Sequence, residues 1–445
     1  MKILILSHYF PPLNRIGSLR VYSFAKYLSE IGHEVHVLTT EKTHIDGHLN
    51  LELDLSGFNT HKVSYLPSII SLLFNKKKRN LSQQNVNQAV PKRHPFILIG
   101  LKQMMRKVRS SIIGSFFDIH DYWAIGAYKT AQLLIKEHNI DVIISSYSPP
   151  SPTYLAYRLK KIFPNLFWVS DYRDLWSLDH IKLPIFPISC LQKWVENKMN
   201  KKANVLITVS NHLQSVLSHH FNTKSFVIEN GYLPEDNTIQ PIKPADFKKP
   251  YNFCYTGQIY TGKRDPTLFL EAVQELIDEK YLSSDDIDIR FYGYNVLCLK
   301  PNIQKFEKYN IVHLCPQVSR QEAINIQRYS TGLLFLEWPH PSAKGVLTGK
   351  LFEYMISNTP IIFLGFSPSD AATIINDTKI GFVCDQNIKQ IKKTIMDIIR
   401  NKSFLPDKKK IENFQRDKLA LKLHQIIIKE FANFKKSNAG QFKTA

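Results

Sequence analysis

Short apolar runs alternate with stretches of helical spacing along most of the chain, and this alternation predicts the fold class. Met1 to Leu6 carries KILIL, a β-branched apolar run closed by turn residues, which reads as a buried strand. Leu19, Tyr22, Phe24, Ala25 and Leu28 then recur at helical spacing up to Gly32, where a helix stop is expected. Val35 to Thr40 (VHVLTT) is the next strand, completing a βαβ unit and therefore a parallel pair. The pattern returns three times. A helix over Tyr128 to His138 precedes DVIISS (Asp141 to Ser146), one over Tyr154 to Lys161 precedes LFWVSD (Leu166 to Asp171), and one over Gln192 to Lys202 precedes VLITVS (Val205 to Ser210). FVIENG (Phe226 to Gly231) closes this first series.

A second series begins after a stretch rich in Pro and acidic residues, 233–247, which reads as a linker. It runs through NFCYTG, a helix over Pro266 to Glu279, IDIRFYG, a strand near Ile311 to Leu314, and a helix opened by Ser319 with Glu322 as a capping box. GLLFLEW, a helix from about Gly349 to Ser357, PIIFLG and GFVC follow. The expected architecture is α/β with two Rossmann-like domains, 1–232 and 248–410. A closing helix (411–435, its apolar period running from Phe414 to Phe431) and a polar tail (436–445) expected to lack structure complete the chain.

Charge adds a partner class. The 445 residues hold 58 Lys and Arg against 38 Asp and Glu, a formal net charge of +20, which favours an anionic partner: nucleic acid, a membrane or a phosphorylated small molecule. Between Asp54 and Asp118 no acidic residue occurs. There, in an insertion at about 55–117, cations such as Lys76, Lys77, Lys78, Arg79, Arg106, Lys107 and Arg109 are interleaved with Leu72, Leu73, Phe74, Phe96, Met104 and Met105. Clustered cations beside apolar side chains suit an anionic lipid surface, each cation near it contributing about 1 kcal/mol; a solvated basic loop is the alternative. Nucleic acid is not expected, because no motif for it accompanies the charge. Five unpaired-looking cysteines, Cys190, Cys254, Cys298, Cys315 and Cys384, form no CxxC and fit a reducing compartment. With no signal-peptide pattern and no run of about 18 apolar residues, a cytoplasmic protein, peripheral at the inner membrane face, is expected.

Three stretches carry candidate chemistry. In AKGVLTGKLFEYMISNTPIIFLG (Ala343 to Gly365), a Gly-containing loop enters a helix near Gly349, so backbone N–H groups around Thr348 and Gly349 and the Lys350 ammonium suit an anion. Glu353, one turn on, sits where a carboxylate can accept from a ribose diol, although Glu near a helix start also serves the helix dipole. YTGQIYTGKRDP (Tyr255 to Pro266) nearly spells a P-loop, but Arg264 stands where Ser or Thr would hold magnesium, which counts against that NTPase reading and leaves a turn after a strand, with Gly257, Lys263 and Arg264 either as phosphate contacts or on a solvated turn. DYRDLW follows a strand at its carboxyl end, where open α/β sheets place ligands; Asp171, Arg173 and Asp174 form either a structural ion-pair cluster or an acceptor-side carboxylate oriented by Arg173. His8, His33, His36 and His120 show no metal-ligand spacing, so neither a metal nor a cofactor is expected.

Taken together, KILILSHYFPPLNRIGSLRVYSFAKYLSEIGHEVHVLTT, DYRDLW, IENGYLPED, YTGQIYTGKRDP, GKLFEYMISNTPIIFLG and FQRDKLALKLHQII resemble, in this order, the retaining glycosyltransferases of the GT-B fold in the family 4-like group, across nearly the whole chain except the basic insertion. The resemblance implies two Rossmann-like domains facing across a cleft, the C-terminal helix returning to the N-terminal one. The C-terminal domain would hold a nucleotide-sugar donor and the N-terminal one a glycan or lipid-linked acceptor, as in bacterial surface-polysaccharide (capsule or O-antigen) assembly. It implies Glu353 as the ribose carboxylate and Lys350, Thr348, Gly349, Lys263 and Arg264 as the diphosphate grip. Gly17 would be the close-approach glycine of the first loop. The chain departs from the pattern at Gly345, where many relatives have Glu, at SSYSPPSP (Ser145 to Pro152), where many have His, and at Gln258, where Arg is usual. A catalytically silent scaffold that recruits partners is the alternative that Gly345 keeps open, with a GT-B epimerase or phosphorylase behind it.

Overall fold

The computed structural model describes residues 1–43, 46–65, 121–178, 185–238, 242–400 and 404–441. The chain divides into two compact units. The first comprises Met1–Val209, Leu213–Ile228 and Ala420–Ala445, the second Ser210–His212 and Glu229–Leu419.

The first unit is built on seven parallel strands: β1 (Lys2–Leu6), β2 (Glu34–Thr40), β3 (Asn59–Val63), β4 (Val142–Tyr147), β5 (Phe167–Tyr172), β6 (Val205–Thr208) and β7 (Ser225–Val227), in the order β3-β2-β1-β4-β5-β6-β7. The apolar runs are continuous rather than alternating because helices cover both faces of such a sheet. Ile3, Leu4, Ile5 and Leu6 are all fully buried. The first crossover helix, α1 (Ile16–Glu30), ends before Gly32, whose φ of +98° provides the expected stop. Helices α2 (Asp121–His138), α3 (Ser151–Ile162), α4 (Ile188–Asn200) and α5 (Asn211–Phe221) follow. Trp123, Trp168 and Tyr172 fill the core between helices and sheet.

The second unit repeats the plan with β8 (Tyr251–Thr256), α6 (Thr267–Asp278), β9 (Ile287–Tyr292), β10 (Val312–Cys315), α7 (Arg320–Tyr329), β11 (Gly332–Leu336), α8 (Gly349–Met355), β12 (Ile361–Leu364), α9 (Asp370–Thr378), β13 (Gly381–Val383) and α10 (Ile388–Ile399). Its six strands are parallel, in the order β10-β9-β8-β11-β12-β13. That is the doubly wound Rossmann order, and it places the reversal of strand order between β8 and β11. The capping box at α7 is present in full: the Ser319 backbone N–H donates to Glu322 Oε2 at 2.8 Å and the Glu322 N–H to Ser319 Oγ at 3.2 Å.

Four expectations are corrected. Residues 59–63, read as part of the basic insertion, form edge strand β3; NTHKV is half exposed, so its polarity hid it. The described part of the expected linker 233–247 belongs to the second unit, because Leu233 and Phe247 are buried and Asp236 pairs with Arg320 at 2.5 Å. The second domain therefore starts near Glu229 rather than 248. The last helix runs Arg416–Gln441, through most of the tail expected to lack structure, since extending a formed helix adds one hydrogen bond per residue fixed. Its residues from Ala420 onward count with the first unit, where Phe431 and Phe434 pack edge-on against Phe167 with centroids 5.7 and 5.8 Å away. The basic insertion beyond Tyr65 lies outside the described residues, as does His120. No described helix is long and apolar enough to cross a membrane.

Candidate active site

In the second unit, the carboxyl ends of β8 and β11 and the start of α8 converge. Lys350, in the first turn of α8, reaches back to β8: its Nζ donates to Tyr255 Oη at 2.5 Å and lies 4.2 Å over the Tyr255 ring. Gly257 makes this approach possible. A Cβ there would overlap Lys350 Cε and Nζ, and its φ of +141° is one that glycine favours. Arg264 closes the same cluster, its Nη1 donating to Gln258 O at 2.7 Å and to Tyr255 Oη at 3.3 Å. Burial holds the Lys350 ammonium well below the usual lysine range, and the neighbouring Arg264 charge pushes the same way. Two cations forced together in a desolvated corner are stabilised by an arriving anion, which is what a diphosphate supplies.

Glu353 lies one turn beyond Lys350 on α8. Burial raises its pKa, opposed by Arg320, Lys350 and Arg416. The helix ends at Met355, shorter than expected, so its dipole is small and the anion preference rests on the side chains. Thr348 is the N-cap residue, without a side-chain cap, and Gly349 is buried. Tyr354 fastens the helix to the sheet by accepting from the Thr256 N–H at 2.9 Å. Lys263 makes a different contact, its Nζ 4.7 Å over the Trp338 ring.

Sequence reasoning missed a carboxyl of this cluster. Glu337 follows β11 directly, is buried, and has burial raise its pKa to about 8 against the pull of Arg264 and Lys350. Nothing in GLLFLEW marks it, because its significance lies in neighbours distant in sequence.

In the first unit the fold separates residues that the sequence grouped. Asp171 does not pair with Arg173. It is fully buried and held by Arg20, whose Nη2 donates to Oδ1 at 2.8 Å and whose Nε lies 3.1 and 3.2 Å from the two oxygens, while Ser146 Oγ donates to Oδ2 at 2.9 Å. Its carboxylate is therefore spent on a buried ion pair with Arg20 rather than oriented by Arg173; Arg20, four residues into α1, carried no local signal. Arg173 points elsewhere, its Nε donating to Tyr147 O at 2.8 Å and its Nη2 to Ser148 O at 2.9 Å, with the guanidinium 4.8 Å over the Tyr9 ring. Gly17 is a close-approach glycine as expected, but what approaches it is Arg173. Lys42, also missed, is drawn down to about 7 by burial beside His8 and Asp46.

The fold also gathers Glu34, His36 and His138, whose ligand-type atoms lie within 4.8 Å, a grouping that spacing along the chain did not reveal. His36 already spends both ring nitrogens, on His61 at 3.0 Å and Glu34 at 3.0 Å, and Lys2 takes the other Glu34 oxygen at 3.3 Å.

Comparison with known proteins fixes the class. Residues 18–235 match Glycosyltransferase Family 4. The chain is a glycosyltransferase. No curated protein sequence matches it. Among solved structures, this glycosyltransferase is similar to sucrose-phosphate synthase from Thermosynechococcus elongatus (12% identity, 97% of this chain and 100% of that one covered, TM-score 0.60). It is also similar to the E. coli trehalose-6-phosphate protein bound with UDP-2-fluoro glucose (12%, 100% and 99%, 0.55) and to WaaG, a glycosyltransferase involved in lipopolysaccharide biosynthesis (13%, 96% and 99%, 0.54). At these identities the likeness establishes the GT-B fold, two Rossmann-like units, and leaves substrates to the site.

Proposed function

We propose that this glycosyltransferase moves a sugar from a nucleotide-sugar to a glycan acceptor with retention of anomeric configuration. The observation that carries the donor assignment is the pair Lys350 and Arg264, both hydrogen-bonded to Tyr255 Oη beside Gly257, at the point where the strand order reverses. The chemistry is departure of a nucleoside diphosphate from an anomeric carbon, so charge grows on the leaving phosphate oxygen. Cations already in place there stabilise the transition state more than the ground state, one such donor contributing roughly 3 to 4 kcal/mol. They act here without a metal or other cofactor. Attack comes from the face the diphosphate leaves, and the departing oxygen helps to take the acceptor proton. Glu353 holds the donor ribose; Thr348 and Gly349 offer backbone N–H groups, and Lys263 lies at the edge of the grip.

The acceptor is a lipid-linked glycan at the inner face of a bacterial membrane, in capsule or O-antigen assembly, bound by the first unit with Arg173 beside it. Supporting this, Phe186 is 80% and Trp194 58% exposed at and before α4, with Leu191 between them and Lys198 4.7 Å over the Trp194 ring. Exposed aromatics next to lysines suit an anionic lipid interface, as the composition of the basic insertion does.

Thermal shift with UDP-, GDP- and dTDP-sugars tests the donor assignment: a ligand at 100 times its Kd stabilises by about 2.7 kcal/mol. Wild-type protein that shifts with one donor, and a Lys350→Met variant that does not, is the expected result. A wild type indifferent to all three counts against a donor site.

A further inference from the structure

Glu337 is 5% exposed, and neither of its carboxylate oxygens has a hydrogen-bond partner. A buried carboxyl in this state is costly, and native folds leave few such groups without a purpose. Its place is specific. Glu337 stands at the end of β11, across the strand-order reversal from β8, with its backbone N–H bonded to Leu364 O at 2.9 Å. On the β12 side Gly365 is pressed against it, since a Cβ on Gly365 would lie 2.9 Å from Glu337 Cβ. The charged groups acting on the carboxyl are Arg264, from the loop after β8, and Lys350, from α8, with the Tyr255 phenol also coupled to it.

We propose that Glu337 is a further donor-site residue, a neutral carboxyl that donates a hydrogen bond to the diphosphate gripped by Lys350 and Arg264. This rests on the donor reading above and names a group that reading did not use. The physical argument is one of charge. An ionised carboxylate among phosphate oxygens repels them, whereas a carboxylic acid supplies a donor. The two cations favour the ionised form while no anion is present. A bound diphosphate engages both and brings its own negative charge, so the proton-bearing form is preferred when the site is filled. Burial biases the group the same way beforehand, to about 8. No covalent bond changes at Glu337: the proton stays on the carboxyl, and its hydrogen bond strengthens as charge grows on the leaving oxygen. Glu337 also lies eight residues before Gly345, so it is not the usual carboxylate displaced by a short slip.

The test is calorimetric titration of UDP, GDP and dTDP into the full chain at about pH 7 and about pH 9, where a group titrating near 8 is mostly protonated and mostly ionised, respectively. Wild-type affinity is expected to fall about tenfold more across this interval than that of Glu337→Gln, whose amide donates at both values. Glu337→Gln binds like wild type at the lower pH, and Glu337→Leu, which cannot donate, binds more weakly at both. Parallel pH dependence in wild type and Glu337→Gln, or wild-type affinity in Glu337→Leu, overturns the role alone. Folded wild-type protein that binds none of the three nucleotides overturns the donor site, and the role falls with it.

Discussion

Gly17 and Arg173 share one space: the guanidinium of Arg173 occupies the volume that any side chain at Gly17 would need, with its Nη1 and Cζ nearest the glycine. The first turn of α1 and the loop after β5, distant in sequence, are thereby matched. A methyl group at Gly17 would push Arg173 off the Tyr147 and Ser148 carbonyls and the Tyr9 ring. Gly17→Ala and Arg173→Ala are each expected to lower kcat/KM by about 10²-fold, the usual cost of a misplaced group of this kind, and the double variant by little more. Additive losses in a double-mutant cycle would show that the two act separately.

Gly257→Ala is expected to abolish nucleotide binding while the protein stays folded. It meets both obstacles at once, a φ of +141° and the end of Lys350. Lys350→Met keeps the stem over Tyr255 and removes the charge, so kcat should fall by about 10²- to 10³-fold. Unchanged turnover in Lys350→Met would remove the lysine from the diphosphate grip.

Glu353→Gln is expected to raise donor KM by about 10- to 100-fold, the range for losing a hydrogen bond to a charged group. The loss should be larger for the intact nucleotide-sugar than for pyrophosphate, which has no ribose. Equal losses for both would place Glu353 elsewhere than at the ribose.

Two buried carboxyls set the pH dependence of stability. Burial raises Glu337 to about 8 and Glu196 to about 7 in the folded chain. Both lie above the ordinary unfolded value near 4.5, so between those limits the folded state binds more protons than the unfolded one. Stability from these groups is complete below about pH 4.5 and is lost as pH rises through 7 and 8. Melting temperature should therefore decline over this window. Glu337→Gln and Glu196→Gln should each flatten the decline, and a wild-type slope in both variants would contradict the assignment.

Arg20→Ala leaves Asp171 as an uncompensated charge in the core, and a loss of about 3 to 5 kcal/mol is expected by denaturant titration. Asp171→Asn, which keeps the shape, should cost less and leave kcat near wild type in the folded fraction. A selective collapse of kcat in Asp171→Asn would return that carboxylate to the chemistry.

The sequence by itself determined the fold class, because continuous apolar runs and helical spacing are local signals that read directly as parallel strands and crossover helices. It also determined the nucleotide-binding candidates on the second unit, since Gly257, Arg264, Lys350 and Glu353 lie in short glycine-bearing stretches next to strand ends. Tertiary structure alone decided the partners. Arg20 claims Asp171, Arg173 claims the space at Gly17, and Glu337 is set beside Arg264 and Lys350, each across a separation that no local pattern reports. The reason is physical: an element forms from the periodicity of its own residues, but a buried charge takes the partner that strand order brings to it, and strand order is a property of the whole sheet.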